Sequence, residues 1–362
     1  MTKITLTFDQ TLAQNFAAHR LTWFYGARRS LPFRETKNPY SIWISEIMAQ
    51  QTQIDTLLPY YHRFIEAFPT VNALAEAHED TVLKLWEGLG YYSRAKNLHK
   101  AAKIICTDYN GHFPDHYEGL IKLPGIGPYT AGAISSIAYK EKVPAIDGNV
   151  LRVISRFNNS FGDIADTTVK KAITQWVTKA LPDEPGDFNE ALMELGALIC
   201  TPKSPKCMLC PVASDCAAHA CGTASELPVK SKKVKQKKLQ MEVAIIDNGG
   251  SLYLVKRPEK GLLAGLWSFP IVEAGAVPGD ALATSLSAVF PNLPAPRVLG
   301  TDKHVFSHII WDMRVYYFKL ENGAVHEEQA LYGESVGTFK NKEALNAVAL
   351  PVAFSKLMVL LK

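Results

Sequence analysis

The chain has 362 residues, more than one ordinary domain carries, so we expect two domains. Hydrophobic residues make up 47% and charged residues 20%, a balance that excludes a disordered chain. A net charge of +4 is compatible with a nucleic-acid partner without establishing one. No signal-peptide pattern and no apolar run of roughly 20 residues is present, which predicts a cytosolic protein, or a nuclear or organellar one in a eukaryote.

Apolar residues recur at helical spacing through the first 220 residues or so. The pattern predicts helices over 10–26, 41–67, 79–88, 93–108, 128–139, 149–158, 167–181 and 187–199, with breaks at Pro69, Gly111, Pro182 and Gly186. No run in this half alternates in the way of a strand. We therefore predict a mainly α first domain over residues 1–228.

A Pro-Gly-x-Gly turn stands directly before the predicted helix over 128–139. Its glycines, Gly125 and Gly127, let the backbone approach an anion without interference from a Cβ, and the start of the helix offers unpaired N–H groups to a phosphate. Asp147 follows Tyr129 by eighteen residues and brings a carboxylate near that seat. The combination suggests chemistry on a nucleotide, although each piece alone also fits a turn or a helix N-cap.

Four cysteines lie within seventeen residues in the spacing C-x6-C-x2-C-x5-C, namely Cys200, Cys207, Cys210 and Cys216. Four thiolates in one short loop suit a tetrahedral metal ion or an iron–sulfur cluster. Zinc sites usually offer two C-x2-C pairs or a histidine, and this loop has one such pair and no histidine. The spacing therefore favours a [4Fe–4S] cluster over zinc, and the two cysteines outside it, Cys106 and Cys221, are predicted to be structural.

The character of the chain changes near Lys230. Residues 229–240 are basic and lack an apolar face, which predicts a solvated linker, with a role in following a phosphate backbone as the alternative. Beyond it, an Asn-Gly-Gly turn between apolar runs predicts a β-hairpin. The remaining segments predict a smaller α+β domain over 241–362, with strands over 241–247, 251–255 and 309–320 and helices over 280–289 and 353–361.

Several stretches together resemble the helix–hairpin–helix DNA glycosylases of the endonuclease III superfamily, and within it the adenine DNA glycosylases of the MutY family. Besides the turn and the cysteine loop, they are residues 45–53, 88–92, 146–150 and 188–191. The resemblance covers nearly the whole chain. It implies a helix–hairpin–helix unit at about 116–140, an iron–sulfur loop at 200–216 and a MutT-like, Nudix-fold domain for lesion recognition at 241–362.

The implied activity is removal of adenine mispaired with 8-oxoguanine, and also with guanine, in base excision repair. Relatives that also cut the strand carry a lysine after the hairpin, whose amine attacks the sugar. Tyr129 stands at that position here, so we expect a monofunctional enzyme that stops at an abasic site. The expected partner is double-stranded DNA with such mispairs, bound by a monomer that is cytoplasmic and nucleoid-associated in a bacterium, or nuclear or mitochondrial in a eukaryote.

Breaking the adenine N-glycosidic bond requires two carboxyl groups with opposite roles, as glycoside hydrolysis does. Glu46 lies in a largely apolar helical segment, where desolvation raises a carboxyl pKa, and the resemblance implies that it protonates adenine N7. Asp147 is the candidate anion that stabilises the sugar cation, with a transient covalent adduct left open. The resemblance adds Tyr129 and Asn149 beside it. Taken alone, these residues also fit a solvent-facing Glu, a core aromatic residue and a cap residue.

Other DNA contacts follow from the resemblance only. Tyr91 is expected to wedge into the stack of the opposite base and Gln51 to fill the space that the flipped base leaves, although Tyr91 also fits internal packing. Arg34 and Glu190 are expected to line the adenine pocket. Phe33 stands where family members usually have Trp, which keeps an aromatic face and loses the indole N–H.

In the C-terminal domain, Phe306, Ser307 and His308 resemble the loop that reads 8-oxoguanine, and a serine hydroxyl suits the lesion because it both donates and accepts. An ordinary turn is the alternative. A working Nudix hydrolase needs a Glu-rich helix for Mg²⁺, which residues 270–276 do not provide, so no pyrophosphatase activity is expected. Two rival functions remain at this stage: a bifunctional lyase, disfavoured by Tyr129, and a non-enzymatic iron–sulfur DNA sensor, disfavoured by the two carboxyl groups.

Overall fold

The computed structural model describes residues 6, 8–231, 236–320, 329–332 and 335–361. Contacts between residues divide the chain into two compact units. The first consists of Met1–Glu76 with Asn97–Lys232, and the second of Ala77–Lys96 with Lys233–Lys362. A mainly helical unit and a smaller unit built on a mixed sheet confirm the predicted fold class.

Helices make up the ordered elements before residue 230. They are α1 (Gln10–Ala27), α2 (Pro39–Ala49), α3 (Ile54–Ala67), α4 (Val71–Glu76), α5 (Glu79–Leu85), α6 (Ser93–Asp108), α7 (Tyr117–Leu120), α8 (Pro128–Tyr139), α9 (Gly148–Phe157), α10 (Thr167–Ala180), α11 (Pro185–Leu198) and α12 (Ala217–Ala220), with short 3-10 turns at Pro32–Arg34 and Cys207–Leu209. Of these, α5 and the first turn of α6 belong to the second unit. In the described part of the chain, no helix is both long and apolar enough to cross a membrane.

Side-chain caps set where several of these helices begin. Asp9, Asn38, Asp147 and Asp166 accept backbone N–H groups at the starts of α1, α2, α9 and α10. The core of the first unit then packs these helices together: Phe16 of α1 and Phe157 of α9 have ring centroids 5.4 and 5.7 Å from that of Trp176 of α10. This packing fixes α9, which begins at the candidate site.

The second unit contains an eight-stranded mixed sheet, made of β1 (Lys237–Asn248), β2 (Ser251–Lys256), β3 (Trp267–Ser268), β4 (Ile271–Glu273), β5 (Arg297–Val305), β6 (Ile309–Leu320), β7 (Gln329–Tyr332) and β8 (Ser335–Lys340). The order is β5-β6-β1-β2-β8-β7, with β4 on β1 and β3 on β2. β1 and β6 run parallel. Three helices complete the unit, α13 (Asp280–Ser287), α14 (Lys342–Ala347) and α15 (Val352–Ser355), with a 3-10 turn at Lys356–Leu361.

Both faces of this sheet are buried, because alternate residues of a strand point to opposite sides. Val243 and Ile245 of β1 belong to the core that includes Phe354 of α15, whereas Ala244 and Ile246 belong to the core that includes α13. The predicted hairpin is confirmed: Gly249 and Gly250, with φ of 61° and 91°, join β1 to β2 in the two-residue geometry that glycine favours.

Four predicted elements differ from the structure. The helix expected over 41–67 is two helices, because the chain turns at Gln50–Gln53 and Gln51 adopts φ of 59°. Gly186 lies inside α11 instead of breaking a helix. A residue without a Cβ is needed there because the Ile137 backbone passes so closely that a Cβ would lie 2.8 Å from it. The helix expected over 353–361 is α15 followed by a 3-10 turn.

The fourth difference concerns the basic stretch over 229–240. β1 begins at Lys237, inside the predicted linker, because its first residues pair with those of β6. Residues 232–235 of the stretch lie outside the described residues.

Candidate active site

One cavity of about 970 Å³ in the first unit brings together ten of the residues predicted from the sequence. They come from the 3-10 turn after α1, from α2 and the turn that follows it, from the hairpin and α8, from the start of α9 and from α11. They are Phe33, Arg34, Glu46, Gln51, Gly125, Gly127, Tyr129, Asp147, Asn149 and Glu190. The predicted catalytic and base-contacting residues of the first unit therefore share one cavity.

Glu46 and Tyr129 form the first half of the site. The Tyr129 hydroxyl donates to Oε2 of Glu46 at 2.5 Å and lies 3.0 Å from Sδ of Met193. The pKa of Glu46 is raised to about 7, chiefly by burial and also by the charges of Glu190 and Asp147, against the Tyr129 hydrogen bond and the charge of Arg34, which lower it. Burial also raises the pKa of Tyr129 well above its usual value, so this hydroxyl stays a donor. A carboxyl group with that pKa is about half protonated at neutral pH and suits a general acid.

Asp147 forms the second half and is also the N-cap of α9. Its Oδ1 accepts from the Val150 N–H at 2.7 Å, and its Oδ2 accepts from Nδ2 of Asn149 at 2.7 Å. Burial raises the pKa of Asp147, while these hydrogen bonds and the charge of Arg152 oppose the rise because they favour the ionised form. The cap interpretation is therefore confirmed, and it coexists with a place in the cavity.

A chain of hydrogen bonds leads from Asp147 to the cysteine loop. Asn149, which donates to Asp147, accepts from Nη2 of Arg152 at 2.7 Å. Arg152 in turn donates through Nε to the Cys200 carbonyl at 2.8 Å. Helices α9 and α11 approach closely beside this chain, because a Cβ on Gly196 would lie 2.5 Å from the Cβ of Asn149.

At the other end of the cavity, arginines and carboxylates are interleaved. Nε of Arg34 lies 3.4 Å from Oε1 of Glu190, and its Nη2 donates to Oε2 of Glu194 at 2.9 Å. Arg29 donates to Glu194 through Nε at 2.8 Å and Nη2 at 2.6 Å. The Phe33 ring stands on the same 3-10 turn as Arg34 and meets Tyr61 edge to face at 5.4 Å. This end offers an aromatic ring and charged groups of both signs to a ligand.

Four residues that take part in the contacts described above were not predicted from the sequence: Arg29, Arg152, Met193 and Glu194. For Glu194 a signal existed, because it lies four residues after Glu190 and thus on the same face of a helix. Arg29 carried no local signal, since its partner Glu194 is 165 positions away in the chain.

The remaining predicted DNA-contacting residues lie in the second unit and do not line this cavity. Tyr91 is 46% exposed and adopts φ of 47°, and the Arg94 guanidinium lies 5.6 Å from its ring centroid. Phe306 to His308 form the turn between β5 and β6. Phe306 packs on Trp311 with centroids 4.9 Å apart, while Ser307 and His308 are exposed.

The four cysteines of the loop, Cys200, Cys207, Cys210 and Cys216, surround a separate small cavity of about 30 Å³. In the described residues no three metal-binding side chains form a site for a single ion. The buried Arg156 donates through Nη1 to Sγ of Cys200 at 3.3 Å and to two backbone carbonyls of the same loop. A guanidinium beside sulfur compensates the negative charge of thiolates, so this donor set fits an iron–sulfur cluster.

Comparisons with known proteins agree with this geometry. Residues 44–179 match the family model of the HhH-GPD superfamily base excision DNA repair protein, residues 200–216 the iron-sulfur binding domain of endonuclease III, and residues 242–360 the NUDIX domain. The solved structure of a thermostable thymine-DNA glycosylase superposes with a TM-score of 0.52 at 27% identity, covering 58% of this chain and 97% of that one.

Curated relatives agree as well. The adenine DNA glycosylase of Rattus norvegicus is 35% identical over 84% of this chain and 70% of its own length. That of Arabidopsis thaliana is 34% identical over 83% of this chain, which spans 56% of the longer plant protein. The chain is a DNA N-glycosylase of base excision repair with an iron–sulfur loop and a Nudix-like domain, and it belongs to the adenine DNA glycosylase family.

Proposed function

We propose that the chain hydrolyses the N-glycosidic bond of adenine paired with 8-oxoguanine, and more weakly with guanine, and leaves an abasic site. The observation that carries this proposal is the pair of carboxyl groups in one cavity. Glu46 is desolvated and hydrogen-bonded to a tyrosine, and Asp147 is held by a helix start and an amide. These two environments suit opposite protonation states during the reaction.

The target nucleotide leaves the duplex to reach these groups, because a base inside the stack is inaccessible. The cavity volume of about 970 Å³ is sufficient for a nucleotide. Phe33 offers its ring to the base, and Arg34 and Glu190 offer a donor and an acceptor to its edge. The glycines of the hairpin leave room for the phosphate at the start of α8.

The chemistry then follows from the positions of the two carboxyl groups. Protonated Glu46 donates its proton to N7 of adenine, the bond between C1′ and N9 breaks, and the electron pair leaves with the base. The positive charge that develops on the sugar is stabilised by the Asp147 carboxylate. Water adds to C1′ and loses a proton, which completes the hydrolysis. Tyr129 holds Glu46 in place, and Asn149 does the same for Asp147.

The residues that line the cavity also bear on whether the enzyme cuts the DNA strand as a lyase. Among the described residues that surround it there is no lysine. A Schiff base with the sugar therefore has no amine to form it, and Tyr129 stands where the related lyases place theirs. This supports a monofunctional glycosylase over a bifunctional lyase.

The second unit is proposed to read the base opposite the adenine. Ser307 and His308 are exposed in the turn between β5 and β6, and Tyr91 is exposed with its ring over Arg94. The Ser307 hydroxyl is able to accept from N7–H and donate to O8 of 8-oxoguanine, a combination that guanine does not offer. The protein is proposed to act as a monomer in the compartment that holds the DNA.

The four cysteines are proposed to hold a [4Fe–4S] cluster. Such a cluster, when bound, supplies a covalent cross-link of the loop over 200–216. Arg156 orients Cys200 through its hydrogen bond to Sγ. Arg152 connects the backbone of the same residue to Asn149. None of the proposed catalytic steps transfers an electron.

The proposal is tested with the cluster-loaded full chain under single-turnover conditions. Duplexes carry adenine opposite 8-oxoguanine, guanine or thymine, and the product is analysed with and without alkali and borohydride. We expect base loss in the order 8-oxoguanine, guanine, thymine, strand breaks only after alkali, and no trapped covalent complex. Borohydride trapping or strand breaks without alkali would favour the lyase instead. DNA that stays intact on prolonged incubation would favour a DNA-binding sensor.

A further inference from the structure

Glu194 is a buried carboxylate that the proposed chemistry does not use. Its side chain is fully buried on α11, and both oxygens are saturated by arginine donors. Oε1 accepts from the backbone N–H of Arg29 at 3.0 Å and from its Nε at 2.8 Å. Oε2 accepts from Nη2 of Arg29 at 2.6 Å and from Nη2 of Arg34 at 2.9 Å. Four charge-assisted hydrogen bonds to one carboxylate hold Arg29 and Arg34 in place at this end of the cavity.

The carboxylate of Glu194 fixes the position of Arg34, which lines the cavity. Its guanidinium lies between Glu190 and Glu194, which are one turn apart on α11, and only 9% of its side chain is exposed. Its Nη1 is buried and makes no hydrogen bond, while the residue lines the cavity. The geometry therefore leaves one donor of Arg34 for a ligand and commits the other terminal nitrogen to Glu194.

Charge connects this cluster to the reacting carboxyl groups. Burial raises the pKa of Glu194, but the hydrogen bonds from Arg29 and Arg34 outweigh it and hold that pKa at about 2. Burial raises the pKa of Glu190, with Arg34 opposing. Glu194 is thus the partner that stays ionised at every working pH. Arg34 also lowers the pKa of Glu46, so the compensation of its charge affects the acid.

We propose that Glu194 is a positioning residue for the glycosylase reaction: it holds Arg34 and Arg29 in place at this end of the cavity and compensates their charge. Glu194 touches neither the base nor the sugar in this account, and it acts through Arg34. The inference rests on the proposed function only for its kinetic readout, since the titration of Glu46 is measurable without DNA.

The test compares Glu194→Gln with Glu184→Gln in cluster-loaded full chain. Glu184 precedes the same helix, is exposed and pairs only with Lys140, at 3.6 Å, among the described residues. Removing the charge of Glu194 leaves Arg29 without its carboxylate partner and Arg34 with Glu190 alone, which shifts the midpoint of the alkaline limb of the excision rate down by about one pH unit. Near pH 8 the rate then falls about tenfold, with duplex affinity unchanged. Glu184→Gln keeps the wild-type midpoint.

Two further variants separate positioning from folding. Glu194→Asp keeps the charge, so it is expected to keep the wild-type midpoint even if its rate is lower. Should Glu194→Gln not fold, a midpoint that moves in Glu194→Asp, where the charge is kept, would overturn the inference. In an Arg34→Gln background, Glu194→Gln is expected to add little further loss, because both changes remove one interaction. For Glu194→Gln, a lower rate with an unmoved midpoint, or a loss that adds in full to that of Arg34→Gln, would overturn the inference and assign Glu194 a structural role.

A readout without activity distinguishes this inference from the function itself. Carbon-13 titration of the Glu46 carboxyl in DNA-free protein is expected to show the same downward shift in Glu194→Gln. If wild-type protein excises no adenine but the titration shifts, the proposed function fails and the coupling stands. If excision is normal and neither the titration nor the pH profile moves, the inference fails alone.

Discussion

Replacing Glu46 by Gln removes the proposed acid, and it also removes the free-energy cost of burying an ionised carboxyl group in the folded protein. A pKa raised from 4.5 to about 7 means that the ionised carboxyl costs the folded protein up to about 3 kcal/mol above neutral pH. The Glu46 side chain is partly exposed to the cavity, where water screens its charge. The cost of the ionised carboxyl to the stability of the folded protein is therefore about 2 kcal/mol. Because the folded-state pKa is the higher one, this stability is present below about pH 4.5 and lost as pH rises through about 7. Glutamine stays neutral throughout.

We therefore expect inactive Glu46→Gln protein to be more stable than wild type at alkaline pH. Melting temperatures of the cluster-loaded proteins are expected to be nearly equal at about pH 4.5, and to differ by about 4–8 °C at about pH 8. The control Glu66→Gln changes an exposed carboxyl on α3 and is expected to show no pH-dependent gain. An equal or lower melting temperature of Glu46→Gln at about pH 8 would refute the burial argument.

Three other predictions concern catalysis and recognition. The single-turnover rate of excision is expected to be flat below about pH 7 and to fall about tenfold per pH unit above it, because Glu46 loses its proton; a flat profile to about pH 9 would contradict this. Gly196→Ala pushes a Cβ against Asn149, so unfolding measurements are expected to show a loss of about 2 kcal/mol together with slower excision. The control Gly26→Ala meets nothing within 4 Å in helix α1, so it is expected to cost no stability and to leave excision unchanged. Ser307→Ala is expected to lower the preference for 8-oxoguanine over guanine about tenfold in competition assays, and an unchanged ratio would remove this residue from lesion recognition.

Local sequence signals were sufficient where the local chain determines the structure. The Asn-Gly-Gly turn specified the hairpin, because only residues that adopt positive φ close a two-residue loop of this hand. The apolar helical surroundings of Glu46 predicted a raised carboxyl pKa, with which the structure agrees, whereas its role as the acid came from the family resemblance. The turn at Gln51 was missed because no Gly or Pro marks it.

At the proposed base-binding end of the cavity, only some of the residues were predicted from the sequence. Arg34 and Glu190 were reached through the family resemblance, whereas the cluster of Arg29 and Glu194 forms from segments 165 positions apart. Edge strands such as β5 also escaped prediction, because the strand is largely exposed and carries no apolar alternation. The contact between Arg34 and Glu194 depends on α11 lying against the 3-10 turn after α1, and the periodicity of apolar residues gives no information on such a contact.

The most direct test of the account is release of free adenine in a single turnover, measured by chromatography on duplex DNA with adenine opposite 8-oxoguanine. Wild-type protein is compared with Glu46→Gln and with the exposed-site control Glu66→Gln at about pH 6.5, where the acid is largely protonated. We expect free adenine and an abasic strand from wild type and the control, and neither product from Glu46→Gln. Adenine release by folded Glu46→Gln at the wild-type rate would show that Glu46 is not the acid of the reaction.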